Sequence, residues 1–179
     1  MKWIDYSKPT SLSEALDVLN QYGEAARMLA GGTDILVQLR SGRRQPEILV
    51  DAKEIPELNK MEYDQAKGLT LGAAVPCYKI YRNSEIASNY PGLVDSASLI
   101  GGIQIQGRGS IGGNLCNAAP SADAIPPLIV LQAVAVVAGP NGIREVPVEQ
   151  FCTAPGQTVL KPGEFLVSLR IPPPQRNSG

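Results

Sequence analysis

Residues 29–34 read Leu-Ala-Gly-Gly-Thr-Asp, and a second diglycine segment, 109–114, reads Gly-Ser-Ile-Gly-Gly-Asn. Each segment follows or interrupts apolar sequence, carries a hydroxyl residue beside its glycines, and precedes sequence able to start a helix. Glycine allows positive φ and close approach to a ligand, with N–H groups left free to point at an anion. If the two segments converge in the fold, they would hold the two phosphates of a dinucleotide.

Composition limits the alternatives. With 179 residues and 44% hydrophobic content, the chain suits one large domain or two small ones with a sizeable core. Its 16 basic and 17 acidic residues create no overall positive field, so we expect no nucleic-acid partner. The longest apolar run, 125–138, is shorter than the ~20 residues that span a bilayer, and Pro126, Pro127 and Gln132 interrupt it. The N-terminus lacks the apolar core of a signal peptide, so we expect a cytoplasmic protein without a transmembrane segment.

The sequence contains no histidine, which removes histidine-dependent nucleophiles, imidazole bases and histidine-bound metals. Its three cysteines, Cys77, Cys116 and Cys152, form no C-x-x-C pair of the kind that binds zinc or iron–sulfur clusters. We therefore expect no catalytic side chain and no metal ligand, with any redox chemistry left to an organic cofactor.

The first third of the chain predicts a small α/β unit, 1–54. Ser11 and Glu14 fit a capping box for a helix to about Tyr22, and Gly23 suits the position after its end. The remaining predicted elements are strands at 27–30 and 47–50, with a helix from 35 to 39 that stops at Gly42. The first diglycine segment then lies at a strand-to-helix turn.

The rest predicts a larger mixed unit, 55–172, followed by a proline-rich tail, 173–179. Asn141-Gly142 is a strong hairpin signal, and a glycine-rich stretch at 101–114 is expected to be an ordered loop. The other expected elements are strands at 69–73, 133–138, 143–146 and 164–171 and helices at 77–81, 91–100 and 124–131. Together the two units predict an α+β fold.

Each motif also has an ordinary structural interpretation. Neither diglycine segment has the Rossmann spacing G-x-G-x-x-G or the Gly-Lys-Ser/Thr end of a P-loop. Asp34 is typical of a first-turn acid and Thr33 of an N-cap, while Asp123 suits a solvated loop and Asn114 a tight turn. Taken singly, these residues do not establish a ligand site.

Taken together, residues 29–36, 109–115 and 119–123 closely resemble one family: the FAD-binding medium subunit of molybdenum hydroxylases, including aerobic carbon monoxide dehydrogenase and xanthine dehydrogenase. Stretches 11–16, 49–51 and 148–151 support the resemblance, which extends from about Tyr6 to Pro172. It implies a small N-terminal α/β subdomain and a larger mixed α/β subdomain of the FAD-binding type-2 fold, also described as vanillyl-alcohol-oxidase-like or PCMH-type.

The resemblance also implies the cofactor, FAD, and the residues that hold it. The first segment would wrap the pyrophosphate, the second would hold phosphate and ribityl groups, and three separate residues would contact the sugar chain and flavin ring. In this chain the matching residues are Met28, Leu29, Ala30, Gly31, Gly32, Thr33, Asp34, Ile35, Ser110, Gly112, Gly113, Asn114, Asp123 (sugar chain), Val167 (main chain, near the ring) and Ile100 (apolar contact).

The chain departs from the family pattern in three ways, of which the mildest is Ser110 in place of the usual threonine. Relatives often carry Gln-Ile-Arg-Asn before the second glycine segment, whereas residues 104–108 read Gln-Ile-Gln-Gly-Arg, so contacts by Gln106 and Gly107 are in doubt. Arg108 is a partial substitute for the missing arginine. Relatives also continue into a further domain that helps cover the flavin ring, so the resemblance implies that residues 173–179 are a tail or a linker to an absent C-terminal domain.

The function implied is electron relay. A molybdopterin-binding large subunit would oxidise substrate, a small subunit with two [2Fe–2S] clusters would carry the electrons, and FAD on this chain would pass them to an external acceptor. Two alternatives remain open. One is a flavin reductase of the cell-wall-precursor type, and the other is a cofactor-free assembly module that bridges partner subunits.

Overall fold

A computed structural model describes residues 3–175. The chain begins with a three-stranded parallel sheet in the order β1-β3-β2 and two helices. Their bounds are β1 Asp5–Ser7, α1 Leu12–Tyr22, β2 Ala26–Leu29, α2 Ile35–Arg40 and β3 Ile48–Asp51. A 3₁₀ turn, Gly23–Ala25, joins α1 to β2.

Ser11 and Glu14 cap the N-terminus of α1 as predicted, but the reciprocal bond goes to Thr10 rather than to the N-cap Ser11 N–H of a capping box. Ser11 Oγ accepts from the Glu14 N–H at 3.2 Å, and the Glu14 carboxylate reaches back to the Thr10 N–H at 2.7 Å. Gly23 ends the helix with φ of 53°, a left-handed value that glycine adopts without strain, and donates to the Leu19 carbonyl. The helix and its end therefore form as the local sequence predicts.

The larger part of the fold is a five-stranded antiparallel sheet in the order β4-β5-β10-β6-β7, with helices against it. Its strands are β4 Met61–Asp64, β5 Gly68–Gly72, β6 Val134–Gly139, β7 Gly142–Pro147 and β10 Phe165–Ile171. The short strands β8 Cys152–Ala154 and β9 Gln157–Thr158 pair with each other. A 3₁₀ turn lies at Val148–Gln150, and the helices are α3 Pro56–Asn59, α4 Cys77–Tyr81, α5 Ser84–Asn89, α6 Pro91–Leu99, α7 Ile103–Gln106, α8 Ile111–Asn117 and α9 Ile125–Val130.

Several local predictions are wrong. The stretch 101–114 is not a loop, because it contains all of α7 and the start of α8; Ser110 Oγ caps α8 by accepting from the Gly113 N–H at 3.0 Å. Thr33 is not an N-cap and Asp34 is not a first-turn acid, since α2 begins after Asp34, which makes no side-chain cap bond. Asn114 lies within α8 and not in a tight turn. In the first case a side-chain cap offsets the low helix propensity of Gly112 and Gly113.

Two main apolar cores and one small cluster, which consists of Leu29, Leu39 and Leu49, organise the described residues. The larger one fills the space between the antiparallel sheet and the helices around it. The second joins the two sheets, because Ala15, Leu19 and Val50 of the first unit pack in one cluster with Phe165 and Val167 of β10. The end of the parallel sheet is thereby held against the antiparallel sheet.

The division at residue 54 stays a prediction, and residues 176–179 of the expected tail lie outside the described chain. Residues 173–175 belong to no helix or strand. Within residues 3–175, the helices are all too short or too polar to cross a bilayer.

Candidate dinucleotide-binding site

The two diglycine segments meet in the structure. A Cβ placed on Gly31 would lie 1.8 Å from the carbonyl oxygen of Arg108 and 2.9 Å from the Gly109 nitrogen. Arg108 Nε also donates to the Gly31 carbonyl at 3.3 Å. Residue 31 is therefore glycine because two backbones touch there, and the convergence on which the dinucleotide hypothesis depends is present.

The first segment connects β2 to α2 with its amides unpaired. Gly32 has φ of +82°, which a residue with a side chain rarely adopts. Within residues 3–175, the N–H groups of Gly31, Gly32 and Thr33 have no protein acceptor in hydrogen-bonding geometry. Thr33 Oγ1 lies 3.5 Å from the Cβ position of Gly109. The turn thus presents several free N–H donors and one hydroxyl beside the second segment.

The second segment is fixed by the connection from β5 to α4. The Cys77 N–H donates to the Gly109 carbonyl at 2.9 Å. A Cβ on Gly112 would lie 2.5 Å from the carbonyl oxygen of Ala73, so this glycine is required by close backbone packing. Among the described residues, no acceptor lies in hydrogen-bonding geometry with the Gly112 N–H.

Side chains join the helices that follow the two segments. Gln38 of α2 donates from Nε2 to the Asp34 carboxylate and to Asn117 Oδ1 of α8, the latter at 3.3 Å. Asn114 Oδ1 accepts from the Ala124 N–H at 3.3 Å, which brings the loop carrying the exposed Asp123 to the second segment. The spacing between the segments is therefore fixed from both sides.

Val167 lies beside the second segment, and Ile100 belongs to the same core as α8. The Val167 carbonyl accepts from the Ala73 N–H at 2.9 Å, and Ala73 is the residue under Gly112. Val167 also stands where the β10–β6 register shifts, a backbone irregularity of the kind found next to binding sites. Ile100 is buried in the larger core with Ile111 and Leu115 of α8. The remaining predicted residues, Met28, Leu29, Ala30, Ile35, Ser110 and Gly113, belong to the two segments or adjoin them.

Sequence reasoning missed a buried carboxylate beside the first segment. Asp51 ends β3 opposite Leu29 of β2, is fully buried, and accepts from the Lys53 N–H at 3.0 Å and from Lys53 Nζ at 2.6 Å. The Tyr6 hydroxyl donates to its other oxygen. The sequence feature that could have indicated this carboxylate is an acidic residue directly after the apolar strand residues 48–50.

The bonds to Asp51 shift the pKa values of both partners. Burial raises the pKa of the Asp51 carboxyl, but the hydrogen bonds from Lys53 and Tyr6 outweigh it and hold the pKa below its ordinary value. The same hydrogen bond, with burial, raises the pKa of Tyr6 to about 12. The positive charge of Arg108 acts in the opposite direction and lowers the pKa of Tyr6. The carboxylate is therefore ionised at neutral pH and fixes the edge of the first turn.

The chemistry of this donor set suits a phosphate-bearing ligand. Free backbone N–H groups at the starts of two helices stabilise negative charge without a lysine. Closely approaching glycines leave room for a diphosphate against the main chain. The residues present therefore fit the pyrophosphate of a dinucleotide.

These features define a dinucleotide-binding α+β domain in which a parallel and an antiparallel sheet meet at two glycine turns. Residues 2–174 match the family model described as the FAD binding domain in molybdopterin dehydrogenase. The chain belongs to that family, and this membership confirms the prediction of FAD as its cofactor.

Two curated relatives illustrate the similarity. The xanthine dehydrogenase FAD-binding subunit of Escherichia coli O157:H7 is 33% identical over 168 residues, covering 94% of this chain and 57% of the relative. The carbon monoxide dehydrogenase medium chain of Hydrogenophaga pseudoflava is 33% identical over 168 residues, covering 94% and 58%. The chain thus spans less than two thirds of the length of these relatives.

Solved structures share the fold. The Cu,Mo-CO dehydrogenase in its cyanide-inactivated form superposes with a TM-score of 0.92 at 31% identity, over 96% of this chain and 60% of that one. Quinoline 2-oxidoreductase from Pseudomonas putida 86 gives a TM-score of 0.91 at 30% identity, over 97% and 61%. The predicted α+β, FAD-binding PCMH-type fold is confirmed.

Proposed function

We propose that this chain holds FAD across its two diglycine segments and serves as the FAD-binding electron-transfer subunit of a molybdenum-containing hydroxylase or dehydrogenase. The main support is the contact between Gly31 and the Arg108–Gly109 backbone, which brings both sets of free amides to one place. The family membership and the names of its relatives supply the chemical class.

Each segment has a distinct part in this proposal. The amides of Gly31, Gly32 and Thr33 bind one phosphate, with Met28, Leu29, Ala30, Asp34 and Ile35 completing the turn. Ser110, Gly112, Gly113 and Asn114 hold the second phosphate and the ribityl chain, and Asp123 accepts from a sugar hydroxyl. Val167 and Ile100 lie toward the flavin ring.

Arg108 has a separate positioning role. Its guanidinium is exposed, donates to Gly31, and stands beside two phosphate-binding turns that otherwise use neutral donors. A cation there stabilises the dianionic pyrophosphate and holds the two turns together. It offsets the missing arginine of the usual Gln-Ile-Arg-Asn run.

Bound FAD supplies the redox chemistry, because it exchanges electrons with both one-electron and two-electron partners. The chain's own residues bind and orient it, and no acid or base from the chain is needed. We propose that electrons arrive from the [2Fe–2S] clusters of a small subunit, that a molybdopterin-binding large subunit oxidises the substrate, and that an external acceptor receives the electrons.

The first test is cofactor binding. The purified chain should take up FAD with a dissociation constant that Arg108→Gln raises roughly 10- to 100-fold, the effect of losing one charge-assisted hydrogen bond of ~1.5–3 kcal/mol. Arg82→Gln, which removes an exposed arginine that stacks on Tyr78, is the matched control. A chain that binds no FAD would favour the assembly-module alternative.

The second test is electron delivery. Adding a chemically reduced protein with two [2Fe–2S] clusters to the FAD-loaded chain should bleach the flavin absorbance near its visible maximum. Bleaching by a reduced nicotinamide cofactor alone, with no response to the iron–sulfur protein, would contradict this proposal and favour the flavin reductase.

A further inference from the structure

A pocket of about 230 Å³ opens at the edge of the parallel sheet where β2 and β3 start. It is lined by Glu24, Arg27, Arg43, Arg44, Gln45 and Pro46. Because β2 and β3 are parallel, their starts lie at one edge and their ends, with the first diglycine segment, at the other. The pocket is therefore separate from the FAD site, and an inference about it does not rest on the function proposed above.

The pocket has an uncompensated positive charge. Three guanidinium groups face a single carboxylate, Glu24, which leaves a net charge of 3 − 1 = +2 in its lining. Within residues 3–175, Arg27, Arg43 and Arg44 take part in no ion pair. Like charges held together without counter-charge favour binding of an anion.

Two of the three arginines are held in place by the fold. Arg27 is half-buried, and its Nη1 donates to the carbonyls of Glu24 at 2.9 Å and Ala26 at 2.7 Å. Arg44 Nε donates to Gln38 Oε1 at 2.6 Å. Their remaining N–H groups are free to bind a ligand without first becoming ordered, which lowers the entropic cost of binding.

The electrostatics of Arg27 agree with this geometry. Burial first, and then the neighbouring charge of Arg44, lower the pKa of the Arg27 guanidinium, while Glu24 acts in the opposite direction. The charged form of Arg27 is thus less stable here than in water. A bound anion would relieve both effects.

We propose that this pocket binds a phosphate group that carries at most one ester bond. Such a group carries about −1.5 to −2 charges at neutral pH and three acceptor oxygens, which matches the net +2 lining and its several N–H donors. A carboxylate has half that charge and only two oxygens. The ligand is either free phosphate or a small phosphorylated molecule, and both present the same chemistry to the arginines.

Calorimetric titration of the FAD-saturated chain tests the proposal. Inorganic phosphate and glycerol phosphate should each bind, against a background of potassium chloride at matched ionic strength. The double variant Arg43→Gln/Arg44→Gln should weaken binding by roughly tenfold or more, because two charge-assisted donors are lost. Both side chains are exposed, so the fold should be unaffected. Arg40→Gln, an exposed arginine outside the pocket, should leave the affinity unchanged.

Tighter binding of glycerol phosphate than of inorganic phosphate would identify a phosphorylated small molecule as the ligand, and the reverse order free phosphate. The proposal is overturned if potassium chloride reproduces the phosphate heat, if acetate binds as tightly as phosphate, or if the double variant keeps its affinity. Gly31→Ala separates this site from the FAD site. If it abolishes phosphate binding while the arginine variant does not, the phosphate occupies the diglycine segments instead.

Discussion

Replacement of Gly31 by alanine tests the contact that joins the two glycine segments. The new methyl group would lie 1.8 Å from the Arg108 carbonyl oxygen, whereas real contacts of this kind stay at 3.0 Å or more. The neighbouring atom is backbone and cannot rotate away. The two segments must therefore separate by about 3.0 − 1.8 = 1.2 Å.

That displacement has two consequences of different size. Over-packing of a tight contact costs roughly 1–3 kcal/mol of folding free energy, which in a domain of this length lowers the melting temperature by roughly 2–12 °C. Phosphate hydrogen bonds are lost when donors move by more than an ångström. Losing two of them at ~1.5–3 kcal/mol each reduces FAD affinity by roughly 10²- to 10⁴-fold.

The assay combines urea unfolding with an FAD fluorescence titration at a temperature where the variant is fully folded. Gly92→Ala is the matched control, since Gly92 is an exposed glycine within α6 with no atom within 4 Å of its Cβ position. It should leave FAD affinity unchanged and raise stability by roughly 0.5–1 kcal/mol. Parental affinity in folded Gly31→Ala would refute the assignment of this contact to the cofactor site.

Three further predictions concern the surroundings of the site. Gly112→Ala should weaken FAD binding and lower the free energy of unfolding, measured with urea, by roughly 1–3 kcal/mol, because the new methyl group would lie 2.5 Å from the Ala73 backbone. An unchanged free energy of unfolding would contradict the packing described. Asp51→Asn should lower the free energy of unfolding by roughly 1–3 kcal/mol at pH 7. Because the pKa of Asp51 in the folded protein lies below the ordinary value of 3.8, this loss should shrink as the pH falls below about 4. A difference in urea unfolding that does not change with pH would argue against the ion pair with Lys53. Burial raises the pKa of Cys77 from 9.0 to about 11, so the unfolded chain loses the thiol proton at lower pH than the folded chain does. The free energy of unfolding should therefore fall between pH 9 and 11, more steeply in the parent than in Cys77→Ala. Identical slopes in the two proteins would show that the thiol is not buried in solution.

Local sequence predicts most of the helices and strands. Ser11, Glu14 and Gly23 bound α1 because capping acts within one turn of the chain, and the predicted helix Cys77–Tyr81 agrees with α4. The predicted hairpin at 141–142 is present between β6 and β7. The strands β1, β4, β8 and β9 and the helices α3 and α5 were missed, because elements of two to six residues carry little periodic signal before their partners are known.

The candidate site, too, is only partly predictable from the sequence. Its glycine segments and their family resemblance are readable from the sequence, because a backbone that meets a phosphate requires particular residues at fixed spacing. The role of Asp51 and the link from Gln38 to Asn117 were not readable, since their partners lie far away in the chain. Arginines at 27, 43 and 44 likewise form one pocket only after β2 and β3 pair.

The sequence by itself therefore determined the fold class, the family, FAD and the two segments that match the cofactor, because these depend on local backbone requirements and characteristic motifs. Only the tertiary structure decided that Gly31 touches Arg108 and that Gly112 rests on Ala73. Such contacts join residues distant in sequence, and they arise from how the parallel and antiparallel sheets pack against a shared core. Packing of that kind is set by the whole chain at once, so no single stretch of sequence encodes it.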